Sequence, residues 1–313
     1  MANQHSTNEP LNNHTSRQLS RRSFLALSAA VPFALRYPLA APAKGIPIGI
    51  ELYSVRNALK QDLQGTVRAV AQMGYQCVEF FSPYYEWSEA QAKDMRKLMD
   101  DLGIRCYSTH NDAGNLKKEN IEKTRALNTI LGCKYVVVAS ANPADLARNA
   151  AASGGASAGV NSPGDWSSVA DLLNTGEELL APSGLKTGYH NHEREFTPVD
   201  GKRPIEIIAA KTEKSVMLQL DVGTCIQAGS DPVAWIKQNP GRIHSLHLKD
   251  WSPEPDKGFK VLFSEGAARW TEIFAAAESV GGAEYYLMEQ EGSRLSEMDT
   301  AKACLDAYKK LRA

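Results

Sequence analysis

Short apolar runs rich in β-branched residues alternate with longer amphipathic stretches from residue 46 to the end of the chain. A short apolar run followed by a stretch of helical period is typical of a βα unit. Eight runs are predicted as strands: 46–55, 77–82, 105–112, 134–140, 186–193, 216–223, 243–251 and 284–292. The stretches predicted as helices include 59–73, 90–102, 121–131, 169–180, 270–280 and 295–311.

Glycine marks the ends of several predicted helices, shortly before the next strand. These positions are held by Gly74, Gly103, Gly132, Gly184 and Gly281. A glycine there closes the last helical turn in a left-handed conformation, which explains why glycine recurs at these positions. Eight strands that each precede a helix predict an α/β fold of a single domain, the (β/α)8 TIM barrel. The alternative is an open, doubly wound sheet.

Residues 1–43 have the composition of an export signal. The paired Arg21 and Arg22 precede an apolar stretch from 26 to 35, and small residues follow up to Ala43. This order of regions describes a secretory signal, and the arginine pair indicates the twin-arginine route. The apolar stretch is shorter than the roughly 20 residues of a spanning helix, so no stable membrane anchor is expected. We expect a signal peptide and disordered leader at 1–43, a barrel at 44–313, and a periplasmic or secreted protein.

Cleavage after Ala43 leaves about 270 residues, a usual size for one (β/α)8 barrel. The leader carries four arginines and one glutamate, so the net charge of −1 for the whole chain becomes about −4 for the remainder. An acidic surface gives no electrostatic reason to bind nucleic acid, whose affinity rests on neutralised phosphates. The expected partner of the precursor is the export machinery, and a homo-oligomer is left open.

The cysteines do not form the pattern of a disulfide framework. There are five of them, an odd number, and no pair has C-x-x-C spacing. Exported proteins usually carry paired cysteines. Export of a protein that has already folded in a reducing cytoplasm reconciles the unpaired cysteines with the export signal.

A stretch rich in Ala, Ser and Gly at 151–164 interrupts the alternation after the fourth predicted strand. Loops that follow barrel strands lie at the catalytic mouth. The stretch is therefore interpreted either as a lid over that mouth or as a mobile insertion.

The last four apolar runs end in residue types that bind metals. The residues are His190 and His192, Asp221, His247 with Lys249, and Glu289 with Glu291. The four groups are roughly 25–45 residues apart, as consecutive βα units are, and the C-termini of barrel strands converge on one mouth. Imidazole and carboxylate groups from several strands therefore predict a divalent-metal site.

Strand alternation assigns side chains to faces, because residues i and i+2 of a strand point the same way. On this basis the members of each pair on strands five, seven and eight share a face. Asp221 ends an apolar run, where an ionised carboxylate is costly unless it is paired or bound to metal. The candidates for substrate binding are Glu51, Tyr53, Glu79, His110 and Trp87. For the two glutamates the alternative is a salt bridge within the barrel, and for Trp87 it is packing.

The motifs around these residues resemble the sugar phosphate isomerase/epimerase family, the xylose isomerase-like TIM barrels. The resemblance covers essentially all of 44–313. It is closest to a subgroup with Tyr-His-Asn-His-x-x-x-Phe on strand five, Asp and then Gly-x-Asp-Pro on strand six, and Arg-Ile and His-x-Lys-Asp on strand seven. The matching residues are Tyr189, His190, Asn191, His192, Phe196, Asp221, Gly229, Asp231, Pro232, Arg242, Ile243, His247, Lys249 and Asp250.

The resemblance implies one divalent ion, Mn²⁺, Mg²⁺, Zn²⁺ or Co²⁺, bound by strands five to eight. Carried over by position, the ligands are His190 or His192, Asp221, His247 and Glu289. Many epimerases of the family have Glu on strand five, where it is both a ligand and one of two opposed bases. A second departure is Ser264-Glu265-Gly266, where the family usually has Gly-Glu-Gly. The histidines on strand five argue against a two-base epimerisation.

The chemistry expected from these groups is proton abstraction beside a carbonyl. A divalent ion that binds a carbonyl and its neighbouring hydroxyl acidifies the C–H between them and stabilises the enediolate. Glu289 or Glu291 is the candidate base, Lys249 the candidate acid or oxygen-binding group, and His192 a further catalytic candidate.

The first functional hypothesis is therefore a metal-dependent isomerase or epimerase of a sugar or related polyol. The alternative is a lyase or hydrolase that acts on a keto-sugar or 3-keto-glycoside with the same ion, and the lesser alternative is a periplasmic sugar-binding protein. An unphosphorylated substrate is favoured because the chain has no phosphate-binding glycine motif. A DNA repair endonuclease shares the fold, but the acidic surface and the export signal argue against it.

Overall fold

The structure, a computed structural model, describes residues 45–141 and 163–313. The predicted leader lies outside the described residues, as does nearly all of the predicted loop at 151–164. The export signal and the lid or insertion therefore remain predictions.

Eight parallel strands pair in chain order and close into a barrel. They are β1 (Ile48–Glu51), β2 (Cys77–Phe80), β3 (Arg105–Asp112), β4 (Tyr135–Ser140), β5 (Lys186–His190), β6 (Met217–Asp221), β7 (Ser245–Leu248) and β8 (Tyr285–Met288). The barrel closes where Ile48 and Ile50 of β1 pair with Tyr286 and Met288 of β8. The predicted TIM barrel is confirmed, and the open sheet is wrong.

Helices follow the strands and cover the barrel. The α-helices are Arg56–Gln61, Leu63–Met73, Glu89–Leu102, Ile121–Leu131, Pro163–Leu180, Pro204–Lys211, Val222–Gln227, Pro232–Gln238, Trp270–Ala276 and Glu297–Leu311. The predicted helix 59–73 is divided because the Asp62 side chain accepts a hydrogen bond from Gly65 N and starts a new helix there. No helix in the described ranges is long and apolar enough to span a bilayer.

The glycine that closes the helix before β8 is one residue later than predicted. Gly74, Gly103, Gly132 and Gly184 have positive φ angles and cap their helices as expected. The prediction for Gly281 is wrong, because the left-handed residue is Gly282, with φ 84°. Gly281 is instead buried in a final π-helical turn, where a Cβ would lie 3.1 Å from the side chain of Ile236.

Several strands end earlier than predicted, because side chains at their C-termini turn the backbone. Glu51 accepts a hydrogen bond from Tyr53 N at 2.5 Å, and a 3₁₀ turn follows it. Asp221 accepts one from Thr224 N at 2.9 Å and caps the helix that begins at Val222. A carboxylate that accepts from the first turn is a normal N-cap. The acidic residues predicted at the mouth therefore also end their strands.

An apolar plug fills the lower part of the barrel and places the ionisable residues above it. The plug consists of Cys77, Tyr135, Val137, Met217, Tyr285 and Leu287. Because every second residue of a strand points inward, the next inward positions after the plug can be read from the sequence. On three of these strands they are polar: Glu79 on β2, Gln219 on β6 and Glu289 beyond β8. The interior of the barrel thus changes from apolar to polar toward its C-terminal mouth, where barrel enzymes place their active sites.

Candidate metal centre

The described strand ends bring together seven buried acidic and histidine side chains above the plug. They are Glu51, Glu79, His110, His190, Asp221, His247 and Glu289, each at most 9% exposed. The rings of His110, His190 and His247 lie within 5.0 Å of one another, centroid to centroid. Buried charges need partners or a metal. The contacts within this cluster therefore show which side chains are already paired and which could bind a metal.

His247 on β7 lies between two carboxylates, one from β2 and one that follows the neighbouring strand β8. Its Nε2 is 2.8 Å from Glu79 Oε2, and its Nδ1 is 2.7 Å from Glu289 Oε2. Burial alone lowers the pKa of His247, but Glu289 and Glu79 outweigh it and raise the pKa to about 10. Burial likewise raises the pKa of Glu289, and the charges of Lys249 and His247 bring it below the ordinary value. In this arrangement His247 is an imidazolium and donates through both nitrogens.

Glu79 lies at the base of the cluster, and protein groups engage both of its oxygens. Ser108 Oγ donates to Oε1, as does Gln219 Nε2 at 3.0 Å. Oε2 lies 3.0 Å from His110 Nε2 and also accepts from His247. Burial raises the pKa of Glu79, but the charge of His110 and the hydrogen bond from His247 bring it below the ordinary value. Its predicted contact with substrate stays a prediction, as does that of His110.

The side chains of His190, Asp221 and Glu289 form the group with the strongest features of a metal site. Each offers one ligand atom, and these atoms lie within 4.8 Å of one another. His190 Nε2 is 4.0 Å from Asp221 Oδ2, and this buried oxygen has no hydrogen-bond partner among the described residues. A buried carboxylate oxygen left without a donor is costly, and a cation would satisfy it. The donor set therefore fits a divalent ion.

A second trio of possible ligands is formed by His110, His190 and His247. Burial lowers the pKa of His110 and brings that of His190 well below the ordinary value, which favours a neutral imidazole with a lone pair to donate. Neutral imidazole is a common ligand of Zn²⁺ and other transition metals. Ligation by His247 requires the loss of one of the protons it shares with the carboxylates.

Lys249 is the buried cation at the upper edge of the cluster. Its Nζ lies 3.7 Å from Asp221 Oδ2 and 3.7 Å from Glu289 Oε1, and it donates to Glu291. Burial alone lowers its pKa, but Glu289, Asp221 and Glu291 together raise it above the ordinary value. Lys249 therefore stays charged and neutralises part of the acidic cluster.

Glu51 is the acidic residue of the cluster with the strongest tendency to hold a proton. Burial raises its pKa well above the ordinary value, and the nearby charges of Glu289 and Glu79 raise it further. Its Oε1 is buried and has no hydrogen-bond partner within the described part of the chain. Burial thus favours a protonated Glu51 beside the candidate ligands, and its predicted contact with substrate stays a prediction.

The remaining residues that the sequence predicts for the site lie around the rim of the barrel mouth. His192 lies beyond the end of β5 and is exposed, with its ring centroid 5.0 Å from that of His190. Tyr53 is 38% exposed, and Glu291 is exposed beside Lys249. Trp87 is half-buried against the rings of Phe80 and Tyr84. Between the two histidines of strand five, the geometry favours His190 as the ligand, and the roles of the rim residues stay predictions.

Gln219 is a member of the cluster that the sequence interpretation did not single out. Its Oε1 lies 2.7 Å from His110 Nε2 and 3.0 Å from His190 Nδ1. A signal was present, since Gln219 is the polar residue inside the apolar run 216–220 and shares a strand face with Asp221.

Asp250 has a structural role within the His-x-Lys-Asp motif. Its carboxylate accepts from the backbone N–H groups of Trp251, Gly266 and Ala268 and from the indole of Trp270. A Cβ at Gly266 would lie 2.2 Å from Asp250 Oδ1, so glycine is required at this position. Asp250 thus fixes the segment after β7 beside the mouth.

The family comparison agrees with the fold, and curated relatives match part of the chain. The sequence profile described as xylose isomerase-like TIM barrel matches residues 67–311. Inosose dehydratase from Clostridium botulinum (strain Alaska E43 / Type E3) is 34% identical over 106 residues, which cover 33% of this chain and 35% of that protein. The chain thus spans about a third of the length of the curated relatives it matches first.

Solved structures match over most of the chain. A sugar phosphate isomerase/epimerase from Parabacteroides distasonis ATCC 8503 superposes with a TM-score of 0.66 at 23% identity, covering 85% of this chain and 94% of that chain. The IOLI protein, solved with a bound zinc atom, superposes with a TM-score of 0.63 at 16% identity, covering 85% and 98%. At these identities the superpositions establish the fold alone.

Proposed function

Because the chain belongs to the xylose isomerase-like TIM barrel family, we propose that it is a divalent-metal-dependent isomerase or epimerase of a sugar or polyol. The observation that carries the proposal is the convergence of His190, Asp221 and Glu289, whose ligand atoms lie within 4.8 Å of one another. Asp221 Oδ2 supports it, because this buried oxygen accepts no hydrogen bond from the described residues and already lies 3.7 Å from the ammonium group of Lys249, as fits an oxygen that binds a cation.

The ligands in this proposal are His190, Asp221, Glu289 and, after loss of a proton, His247. A set of imidazole and carboxylate donors suits Zn²⁺, Mn²⁺ or Co²⁺, and Mg²⁺ stays in the proposal. The zinc atom in the IOLI structure supports an ion of this class at a barrel of this fold. When bound, the ion would polarise a substrate carbonyl and stabilise the negative charge of an enediolate.

The side chains of this protein would perform the proton transfers. Glu291 is exposed at the mouth and contacts Lys249, so it is the accessible carboxylate that takes a proton from the carbon beside the carbonyl. Lys249 stays cationic and would hold the substrate oxygen on which negative charge develops. Return of the proton to the neighbouring carbon completes an isomerisation. Glu51 would hold a proton within the cluster, since burial raises its pKa.

A lyase is the second candidate, and the environment of His190 on strand five favours it. Epimerisation with two bases needs an acid–base group on each side of the reacting carbon. Here His190 is engaged by Gln219 at Nδ1 and faces Asp221 with Nε2, so it is not free to act as the base on this strand. A single base combined with the cationic Lys249 suits loss of a β-substituent from an enediolate. The partial similarity to inosose dehydratases supports this route.

The experiment that separates these reactions is incubation of metal-loaded protein in D₂O with ketoses, keto-polyols and 3-keto-glycosides. Deuterium at the α-carbon with an intact skeleton, detected by NMR, supports the isomerase. Release of water or an aglycone supports the lyase. Metal-stripped protein is the control, and it should be inactive until the ion is restored. No turnover and no exchange with the metal-loaded protein would contradict both candidates and favour a sugar-binding protein.

We also propose that the protein is exported by the twin-arginine route to the periplasm or the exterior. The support is the sequence of 1–43, with its arginine pair, apolar stretch and small residues before Ala43. An unphosphorylated substrate agrees with that location, because phosphorylated sugars are seldom met outside the cytoplasm.

A further inference from the structure

Gln219 occupies the centre of the polar layer that lies directly beneath the candidate metal ligands. It is 1% exposed and precedes Asp221 by two residues on β6, so both side chains point into the barrel. Its amide oxygen lies 2.7 Å from His110 Nε2 and 3.0 Å from His190 Nδ1, and its amide nitrogen lies 3.0 Å from Glu79 Oε1. One uncharged side chain thus contacts two imidazoles and a carboxylate.

The chemistry of the partners fixes which way the amide faces. The Glu79 carboxylate accepts hydrogen bonds, so the NH₂ group of Gln219 must face it. The amide oxygen then faces His110 and His190. An amide oxygen accepts only, so each imidazole nitrogen that faces it carries a hydrogen. For His190 this nitrogen is Nδ1, and the lone pair of the neutral ring is therefore on Nε2.

The Nε2 atom of His190 is the one on the side of the candidate metal site. It lies 4.0 Å from Asp221 Oδ2, the carboxylate oxygen that accepts no hydrogen bond from the described residues and has only the ammonium group of Lys249 nearby, at 3.7 Å. With the opposite tautomer, a hydrogen on Nε2 would face this site and block ligation. The tautomer that Gln219 imposes is thus the one in which His190 can act as a ligand.

We propose that Gln219 is a positioning residue that sets the tautomer and ring orientation of His190 for metal binding. The inference rests on the proposed metal dependence and adds a residue that is not itself a ligand. A ligating histidine usually donates its other N–H to a carboxylate, a backbone carbonyl or water, and this bond orients the ring. Here a side-chain amide performs that task for His190 and, through its NH₂ group, is itself oriented by Glu79.

The test compares Gln219→Leu with the wild type by two measurements. Chelator competition gives the affinity for Zn²⁺ and Co²⁺, and ¹⁵N-histidine NMR of the metal-free protein gives the tautomer, with His190→Gln assigning the signal. We expect the wild-type ring to be the Nδ1–H tautomer. In Gln219→Leu we expect a mixture of tautomers and metal binding weaker by roughly 10–100-fold, as for other outer-shell partners of metal ligands. Gln219→Met fills a similar volume and takes the place of the leucine variant if that variant does not fold.

Ser108→Ala is the matched control, because it also removes a buried hydrogen bond to Glu79 but does not contact His190. We expect it to keep the wild-type tautomer and a metal affinity close to that of the wild type. An unchanged tautomer and affinity in both Gln219 variants would overturn the proposal, as would equal losses in Ser108→Ala. If the wild type binds neither ion, the proposed function fails, and the NMR comparison still decides whether Gln219 sets the tautomer.

Discussion

Asp221 caps a helix with one carboxylate oxygen and directs the other to within 3.7 Å of the ammonium group of Lys249. The carboxylate is fully buried. Burial raises its pKa, the charge of Lys249 lowers it, and the charge of Glu289 raises it again. The capping oxygen fixes the side chain, so the other oxygen is held in place without a hydrogen bond from the described residues. A pre-positioned acceptor of this kind is what a metal site requires.

The first prediction concerns Asp221→Asn. Asparagine is as good an N-cap as aspartate, so the helix at Val222 should persist and the protein should fold. Loss of the charge should weaken Zn²⁺ or Co²⁺ binding by at least the roughly 10–100-fold typical of outer-shell changes. Chelator competition measures the affinity, and thermal unfolding checks the fold. The control is Asp231→Asn, since Asp231 also caps a helix but is half exposed and lies outside the cluster.

Retention of stoichiometric metal with wild-type affinity in Asp221→Asn would remove Asp221 from the ligand set. A loss of metal in Asp231→Asn as well would show that the two caps act through stability and not through ligation.

The second prediction concerns Lys249→Met. Without this cation the buried carboxylates lose a neutralising charge, and breaking a buried pair costs about 3–5 kcal/mol. The metal-free variant should therefore unfold at lower denaturant concentration than the wild type, and a saturating divalent ion should recover part of the difference. Turnover should fall by about 10²–10³ if Lys249 holds the substrate oxygen on which negative charge develops. Lys257→Met is the control, because Lys257 forms an exposed pair with Glu254.

Two results would contradict this interpretation of Lys249. Wild-type turnover in the methionine variant would exclude a catalytic role. Equal stability with and without the lysine would mean that Asp221 and Glu289 are protonated when the metal is absent.

The sequence predicts the barrel because the barrel depends on local periodicity. Strand β3 begins and ends at the predicted residues 105 and 112, and β6 differs from its prediction by one residue at its start and two at its end. The mouth is also predictable, since alternation alone places Asp221 and Glu289 inward. The side chains that end β1 and β6 early make their hydrogen bonds only once the loop has formed, so those boundaries were missed.

The partners within the site are not predictable from one strand at a time. His247 contacts Glu79 across the barrel, and the two residues are 168 positions apart in sequence. This contact depends on barrel closure and on the stagger between strands, which a single sequence does not specify. The role of Gln219 is not predictable for a related reason. A single amide in an apolar run indicates no function until the residues it contacts on other strands are known.

The third prediction separates two aromatic residues that the sequence assigns together to substrate binding. Tyr53 is 38% exposed and stacks edge-on against Phe81, with the two ring centroids 5.3 Å apart. Trp87 packs its ring 5.1 Å from that of Phe80, centroid to centroid. Tyr53→Ala should raise the KM for the sugar with little change in stability. Trp87→Ala should lower the free energy of unfolding by up to about 3 kcal/mol with little change in KM. A raised KM in the tryptophan variant alone would reverse this assignment.

The fourth prediction is a dependence of stability on pH at the mouth. Glu265 accepts two hydrogen bonds of 2.8 Å from Arg294, which lowers its pKa from 4.5 to about 2. Because folding lowers the pKa of Glu265, its pairing with Arg294 stabilises the folded state fully above about pH 4.5. This stabilisation is lost as the pH falls toward 2. Glu265→Gln should therefore have a lower Tm than the wild type at pH 7, and the difference should close near pH 2. Glu254→Gln, which breaks a local pair in the same segment, is the control. A difference that stays constant with pH would contradict the prediction.

The fifth prediction tests export through residues 1–43. Lysine at positions 21 and 22 preserves the positive charge of the leader and removes only the arginine pair. We therefore expect R21K/R22K to retain a reporter fusion in the cytoplasm of a bacterium that has twin-arginine export, while the wild-type leader carries it out. Cell fractionation measures the distribution, and mass spectrometry of the exported form should give a chain that begins at Lys44. R17K and R36K change the other two arginines of the leader and should not affect export. Export of the double variant at the wild-type level would contradict the twin-arginine assignment, and a different N-terminus would contradict cleavage after Ala43.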